Sequence, residues 1–327
     1  MIPLVKPGAE TEQMARDIRM GLTAEPKDLS PWPKYFYDGE GSRLFGEITR
    51  LPEYYQTRTE LSILKEKSRE IVSEARCREL VELGSGDATK THTLLGAMFE
   101  VVSPDGSLRY APLDVSEDAL RESARRLLEE YPGLEIRGYV GDYANSLHRL
   151  HKETGKDGGR LVIFLGGTIG NLFPERRRSF LREIRAGLRA EDRLLVGVDL
   201  VKDRRTLEGA YNDAAGVTAR FNKNLLKVLN ERLGGTFDPS LFEHRAVYRA
   251  EEARIEMWLR SKADQEVYLA AADLRVRFEA GECMRTEISA KFSPESVSRM
   301  FAEADLRLLD LYTDERKLFG LAFGARV

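Results

Sequence analysis

Short apolar runs alternate with amphipathic stretches from about residue 78 to residue 200, and this alternation is the strongest pattern along the chain. The runs ELVELG (79–84), RYAPLDV (109–115), EIRGYVGD (135–142), RLVIFLGG (160–167) and RLLVGVDLV (193–201) predict strands. Near-continuous apolar runs of this length suit a sheet covered on both faces. Between the second and third, SEDALRESARRLLEEYPG sets Leu120, Ala124, Leu127, Leu128 and Tyr131 close to a 3.6-residue period, with Ser116 as N-cap and Gly133 as stop signal. PERRRSFLREIRAGL repeats the arrangement, with Phe180, Leu181, Ile184 and Leu188 behind Pro174. Strand alternating with helix predicts an α/β fold with a doubly wound parallel sheet.

The flanks differ. Residues 1–60 read as helical or irregular, with the turn-rich PWPKYFYDGEGS in the middle. Beyond 200, RRTLEGAYNDAAGVTARFNKNLLKVLNERLGG predicts one long helical segment. After it, RIEMWLRSK, QEVYLAAADLRVRFEAGE, RTEISAKFS and a final KLFGLAFGARV alternate or nearly so, as antiparallel strands do. Contributing to neither edge of the central pattern, the flanks are expected to associate into a second, α+β domain. The division is then 61–200 for the central domain and 1–60 plus 201–327 for the second, with the substrate between them.

Composition narrows the function. The 327 residues hold 51 Lys+Arg against 54 Asp+Glu, a net charge of −3 with 42% hydrophobic residues. Nucleic-acid binding through bulk charge is disfavoured, and a core is within reach. No apolar run is long enough for a membrane span or a signal-peptide core, so a cytoplasmic protein working without a membrane is expected. Cys77 and Cys283 stand far apart, and the HxxH pair His148 and His151 sits in a polar stretch; neither suggests a metal site, and none is expected.

The first central strand runs into the turn Glu82-Leu83-Gly84-Ser85-Gly86-Asp87 and then into the helical ATKTHTLLGAMF. Glycines let a backbone approach a nucleotide, and the helix start supplies free N–H groups. As a dinucleotide fingerprint the turn is defective. Thr89 replaces the third glycine, and the next strand-end acid, Asp114, follows Gly84 by 30 residues where about 20 is usual. An acid-x-Gly-x-Gly turn, Asp114 ending the second strand and Gly141-Asp142 ending the third fit S-adenosylmethionine better. That ligand offers a ribose diol and an adenine amine for carboxylates to read, and no pyrophosphate. After the fourth strand comes GGTIGNLFP (166–174), in which Asn171 can bind a carboxylate and an amine at once or can cap the helix behind Pro174.

Several runs together resemble the histidine Nα-methyltransferases of ergothioneine biosynthesis: YFYDGEGSRLFGEITRLPEYYQTRTE (35–60), LVELGSGDATKT (80–91), FLGGTIGNLFP (164–174), DLVKD (199–203), AYNDAAGVTARFNKNLL (210–226), RIEMWL (254–259) and RTEISAKF (285–292). The likeness covers the chain from about residue 14 to its end. It implies a Rossmann-like class I methyltransferase domain, with a second domain built from both termini, and a monomer acting on a small molecule. By resemblance, Tyr54, Gly84, Gly86, Lys90, Asp114, Asp142 and Tyr143 hold the S-adenosylmethionine. Tyr54, Asn171 and Tyr211 meet the amino and carboxylate ends of L-histidine, with Tyr54 and Asn171 at the reacting nitrogen. Tyr37, Glu287 and Ser289 read the imidazole, and Met257 shapes the pocket. Gly167 departs from the small hydroxyl residue expected at that place.

The residues speak partly for themselves. In RTEISAKF, period 2 sets Glu287 and Ser289 on one face and Ile288, Ala290 and Phe292 on the other. Such a pair suits a solvated edge, or a two-point reading of a ring carrying one donor and one acceptor. Met257, within alternating Ile255-Met257-Leu259, suits plain core equally well. The resemblance implies repeated methyl transfer to the α-amine, giving hercynine, with positioning carrying the catalysis and water taking the protons. A relative acting on another amino acid or aromatic amine is the alternative; a nucleotide-binding oxidoreductase and a non-catalytic scaffold fit less.

Overall fold

The computed structural model describes residues 1–3, 9–86, 88–102, 108–154 and 158–327, with the side chains of residues 9, 143–145 and 153 outside that description. In the central region the expected strands form as β2 (Glu79–Leu83), β3 (Leu108–Asp114), β6 (Arg160–Phe164) and β7 (Arg193–Asp199). The run 135–142 divides into β4 (Leu134–Ile136) and β5 (Tyr139–Val140). Between them lie α4 (Thr89–Val101), α5 (Glu117–Glu130), α6 (Tyr143–Glu153) and α7 (Pro174–Gly187). Ser116 caps α5 by accepting from the Ala119 N–H at 3.3 Å. The HxxH pair falls on α6, where the ring of His151 packs against Gly187 and burial pushes its pKa down to about 4. Among the described residues no helix is long and apolar enough to cross a membrane.

With β1 (Ile2–Pro3), β13 (Leu306–Thr313) and β14 (Phe319–Arg326), these strands make one sheet in the order β1-β5-β3-β2-β6-β7-β14-β13, β4 pairing beside β3. All neighbours are parallel except β14, which runs antiparallel to β7 and β13. The arrangement is Rossmann-like: the chain winds outward from β2 to one edge, returns, and winds from β6 to the other. The order therefore reverses between β2 and β6, whose carboxyl ends carry the two glycine turns, the place where a doubly wound sheet binds its ligand.

Two corrections follow for the expected domains. The final strand KLFGLAFGARV belongs to the central sheet and not to a second antiparallel one. In β14, Phe319, Leu321 and Phe323 pack with α3 (Tyr55–Ala75) and α4, while Ala322 packs on the opposite face with α7 and α10 (Pro294–Ala302). A strand apolar on both sides needs cover on both sides, which this sheet supplies. The expected boundary at residue 60 falls inside α3, which packs on the central sheet through Ile63, Leu64 and Ile71.

The remaining elements gather around a separate core. They are α1 (Ala9–Leu22), α2 (Gly39–Ile48), α8 (Arg204–Tyr211), α9 (Val217–Leu233), the sheet β12-β9-β8 made of β8 (Phe242–Arg249), β9 (Arg254–Ser261) and β12 (Cys283–Ala290), and the hairpin of β10 (Gln265–Leu269) and β11 (Leu274–Phe278). The long helical segment expected over 204–235 is broken. Asp213 accepts from the N–H groups of Val217 and Thr218 at 2.8 and 2.7 Å, starting α9 afresh and leaving Tyr211 as the last residue of α8.

Candidate active site

A cavity opens where the second unit meets the carboxyl ends of β6 and β7. It is lined from the sheet by Gly166, Gly167, Thr168, Asn171 and Asp199, and from the second unit by Tyr37, Tyr54, Tyr211, Met257, Glu287 and Ser289, with Phe45 and Phe221. Seven sequence-predicted residues, Tyr37, Tyr54, Asn171, Tyr211, Met257, Glu287 and Ser289, thus line one space.

Local structure places each of them. Tyr54 precedes the first residue of α3, packs edge-on to Phe45 and Tyr211, and is 8% exposed. Asn171 closes the short 3-10 turn Thr168–Asn171; Phe173, not Asn171, is the N-cap of α7, so the capping alternative does not hold. Glu287 stands directly opposite Met257 across β12 and β9, after a bulge between Arg285 and Glu287 that resets the face. Ser289 accepts from the Tyr211 hydroxyl at 2.8 Å.

In this cavity the Tyr54 hydroxyl, the Asn171 amide and the Glu287 carboxylate make no hydrogen bond within the described residues, and neither do Gln56 Oε1 and the Thr218 hydroxyl. Burial pushes the Glu287 pKa up to about 7 against the pull of Lys291. Burial, with Tyr211 and Glu287 nearby, also holds Tyr54 a neutral phenol. Behind them lies a network absent from the expected residue set. Asp199 accepts from Tyr55 at 2.8 Å and pairs with Lys202 at 2.6 Å and Lys291 at 2.8 Å. Burial would raise the Asp199 pKa, but Lys291 and Lys202 hold it below the ordinary carboxylate range.

The other expected positions lie at the ends of β2, β3 and β5. A Cβ built on Gly84 or Gly86 would meet nothing within 4 Å, so the turn faces open space. Asp114 accepts from Gly86 N–H through Oδ2 and from Ser116 N–H through Oδ1, both at 3.0 Å. One lone pair remains on each oxygen beyond these two bonds, the pattern that a vicinal diol fills. Asp142 pairs with Lys34 from the second unit at 2.9 Å. The side chain of Tyr143 and the whole of Asp87 lie outside the described residues. Glu82 faces inward and not toward a ligand: Thr91 and Tyr110 both donate to its Oε2 at 2.5 Å.

Lys90 pairs at 2.6 Å with Glu60, a carboxylate that also accepts from Gly166 N–H at 2.9 and 3.0 Å. Glu60 lies in a quoted run without having been singled out, and a buried acid between two glycine turns becomes visible only in three dimensions. The residue that makes room for it is Gly197, where a Cβ would stand 2.2 Å from Glu60 Oε1. At Gly167, the φ of +70° accounts for the departure from a hydroxyl residue, since this backbone favours glycine, and Thr168 brings a hydroxyl to the cavity one position later.

A family model described as a histidine-specific, S-adenosylmethionine-dependent methyltransferase matches residues 14–325. The chain belongs to that family. It is accordingly a methyltransferase that uses S-adenosylmethionine, and the strand-end residues just described suit that ligand: an open glycine cradle, a carboxylate with two vacant lone pairs and a lysine beside them. Among curated proteins, the chain is 49% identical to the histidine N-alpha-methyltransferase of Mycolicibacterium smegmatis, over 96% of this chain and 95% of that one. It is 46% identical to the protein of the same description from Mycobacterium tuberculosis, over 96% and 95%. With the ergothioneine biosynthesis protein 1 of Schizosaccharomyces pombe it shares 30% identity over 84% of this chain and 36% of that one.

Proposed function

We propose that the chain methylates the α-amino nitrogen of L-histidine three times in succession, giving hercynine, in ergothioneine biosynthesis. The observation that carries the reading is the set of unpartnered polar groups in one cavity. Tyr54, Asn171 and Glu287 bring polar groups to the cavity wall with no protein partner, so a ligand seated there can supply their bonds. A zwitterion with a donor–acceptor ring does so. Asn171 offers an NH2 to a carboxylate and a carbonyl to an amine, and Tyr54 offers a neutral oxygen beside the reacting nitrogen. Glu287 and Ser289 offer an acceptor and a hydroxyl to the ring, at a depth set by Met257 and with Tyr37 beside them.

Bound S-adenosylmethionine supplies a sulfonium methyl open to in-line attack by an amine. The glycine turn Gly84–Gly86, Asp114, Asp142 and Lys90 hold that donor on the sheet side. Tyr54 and Asn171 hold the amine with oxygen dipoles, which tolerate the positive charge that grows at nitrogen better than a cationic side chain would. Tyr54 does not act as the base, because its phenol keeps its proton at neutral pH. The amine proton leaves through solvent. A monomer in the cytoplasm is part of the reading, and both cysteines are free, as a reducing compartment leaves them.

Mass spectrometry of a reaction holding S-adenosylmethionine and histidine tests this. The expected products carry one, two and three added methylene masses, all on the α-nitrogen in fragment spectra. Methylation of a ring nitrogen would overturn the reading.

A further inference from the structure

Strand β12 leads into a third polar side chain beyond Glu287 and Ser289: Lys291, only 3% exposed. Its ammonium donates to Tyr211 Oη at 3.0 Å and to Ser289 Oγ at 2.8 Å and forms an ion pair with Asp199, Nζ to Oδ2 at 2.8 Å. Tyr211 Oη lies 2.8 Å from Ser289 Oγ, so ammonium, phenol and alcohol form a closed triangle. An ammonium only donates, which fills one lone pair on each hydroxyl oxygen. One proton lies between the two hydroxyls. The phenol is the more acidic and gives it. Ser289 Oγ therefore accepts twice, from Lys291 and from Tyr211, and its own O–H has the cavity as its remaining direction.

We propose that Lys291 is a positioning residue that fixes Ser289 as an obligate donor, so that the site holds the substrate's imidazole neutral and in one tautomer, its N–H toward Glu287 and its bare nitrogen toward Ser289. This rests on the histidine reading given above. An imidazolium ring would set a second N–H against the Ser289 O–H, two donors with nothing to accept, and the opposite tautomer would do the same. The charged and titratable groups facing the triangle are Asp199 from β7, Lys202 after it, Tyr54 and Tyr55 at the start of α3, and Glu287. Asp199 keeps Lys202 and Tyr55 when Lys291 is replaced, so Lys291→Met does not strand a buried carboxylate.

The test is 15N NMR of ring-labelled histidine bound to the full chain together with S-adenosylhomocysteine, at about pH 6, where the free ring is mostly protonated. The wild type should show one pyridine-type and one pyrrole-type ring nitrogen. In Lys291→Met the two signals should lose that distinction and histidine should bind at least about tenfold more weakly, with S-adenosylhomocysteine affinity held within about twofold. Two N–H nitrogens in the wild type, or a variant with the wild-type tautomer and affinity, would overturn the proposal. Should Lys291→Met not fold, Ser289→Ala takes its place, with the same loss of a fixed tautomer expected. Failure of the histidine reading looks different, because labelled histidine then does not bind the wild type at all.

Discussion

Glu287 holds a carboxyl whose pKa rises from an ordinary 4.5 to about 7 through burial, with Lys291 pulling the other way. A folded pKa above the unfolded one means stability that is fully present below pH 4.5 and lost as pH rises through about 7. The shift amounts to about 3 kcal/mol at most. Glu287→Gln is therefore expected to raise the Tm of the ligand-free enzyme at pH 8 and to leave it unchanged near pH 4, in calorimetric scans across that range. Equal pH dependence in the two proteins would remove Glu287 as the source. A period of two along RTEISAKF puts Glu287 and Ser289 on one face, and only the family resemblance points that face at a ring. Lys291 obeys the same period, but a lysine reads as solvated until its partner Asp199, on a distant strand, is brought beside it.

At the scale of elements, strand-helix alternation revealed the middle of the central sheet, where β2, β6 and β7 are apolar enough to be buried on both faces. The same rule applied to the last strand would have placed β14 correctly; its alternation of large and small residues reads as a half-exposed strand until both faces are found covered. The break between α8 and α9 was hidden for another reason. It depends on Asp213 turning back to cap Val217 and Thr218, a local bond that competes with a helical pattern intact on either side. Strand ends also carry the donor chemistry. Asp114 spends one lone pair per oxygen on Gly86 and Ser116, and in the proposed site the other two meet a ribose. Asp114→Ala is expected to weaken S-adenosylhomocysteine binding by about 1.5–3 kcal/mol, the worth of hydrogen bonds to a charged group. Wild-type affinity by titration calorimetry would take Asp114 out of the site.

Across the whole molecule, both ends of the chain reach the central sheet, β1 at one edge and β14 with β13 at the other. The second unit is inserted between these excursions, so its cavity face is held against the strand ends by covalent links on both sides. In the proposed reaction specificity is divided accordingly: the sheet would present what every substrate shares, and β9, β12 and α8 what separates one amino acid from another. The decisive measurement is kcat/KM for histidine against phenylalanine and tryptophan, in the wild type and in Glu287→Ala. A strong preference for histidine is expected in the wild type, collapsing in the variant through a raised histidine KM while S-adenosylhomocysteine affinity stays put. A variant that keeps its preference for histidine with an unchanged KM would contradict it.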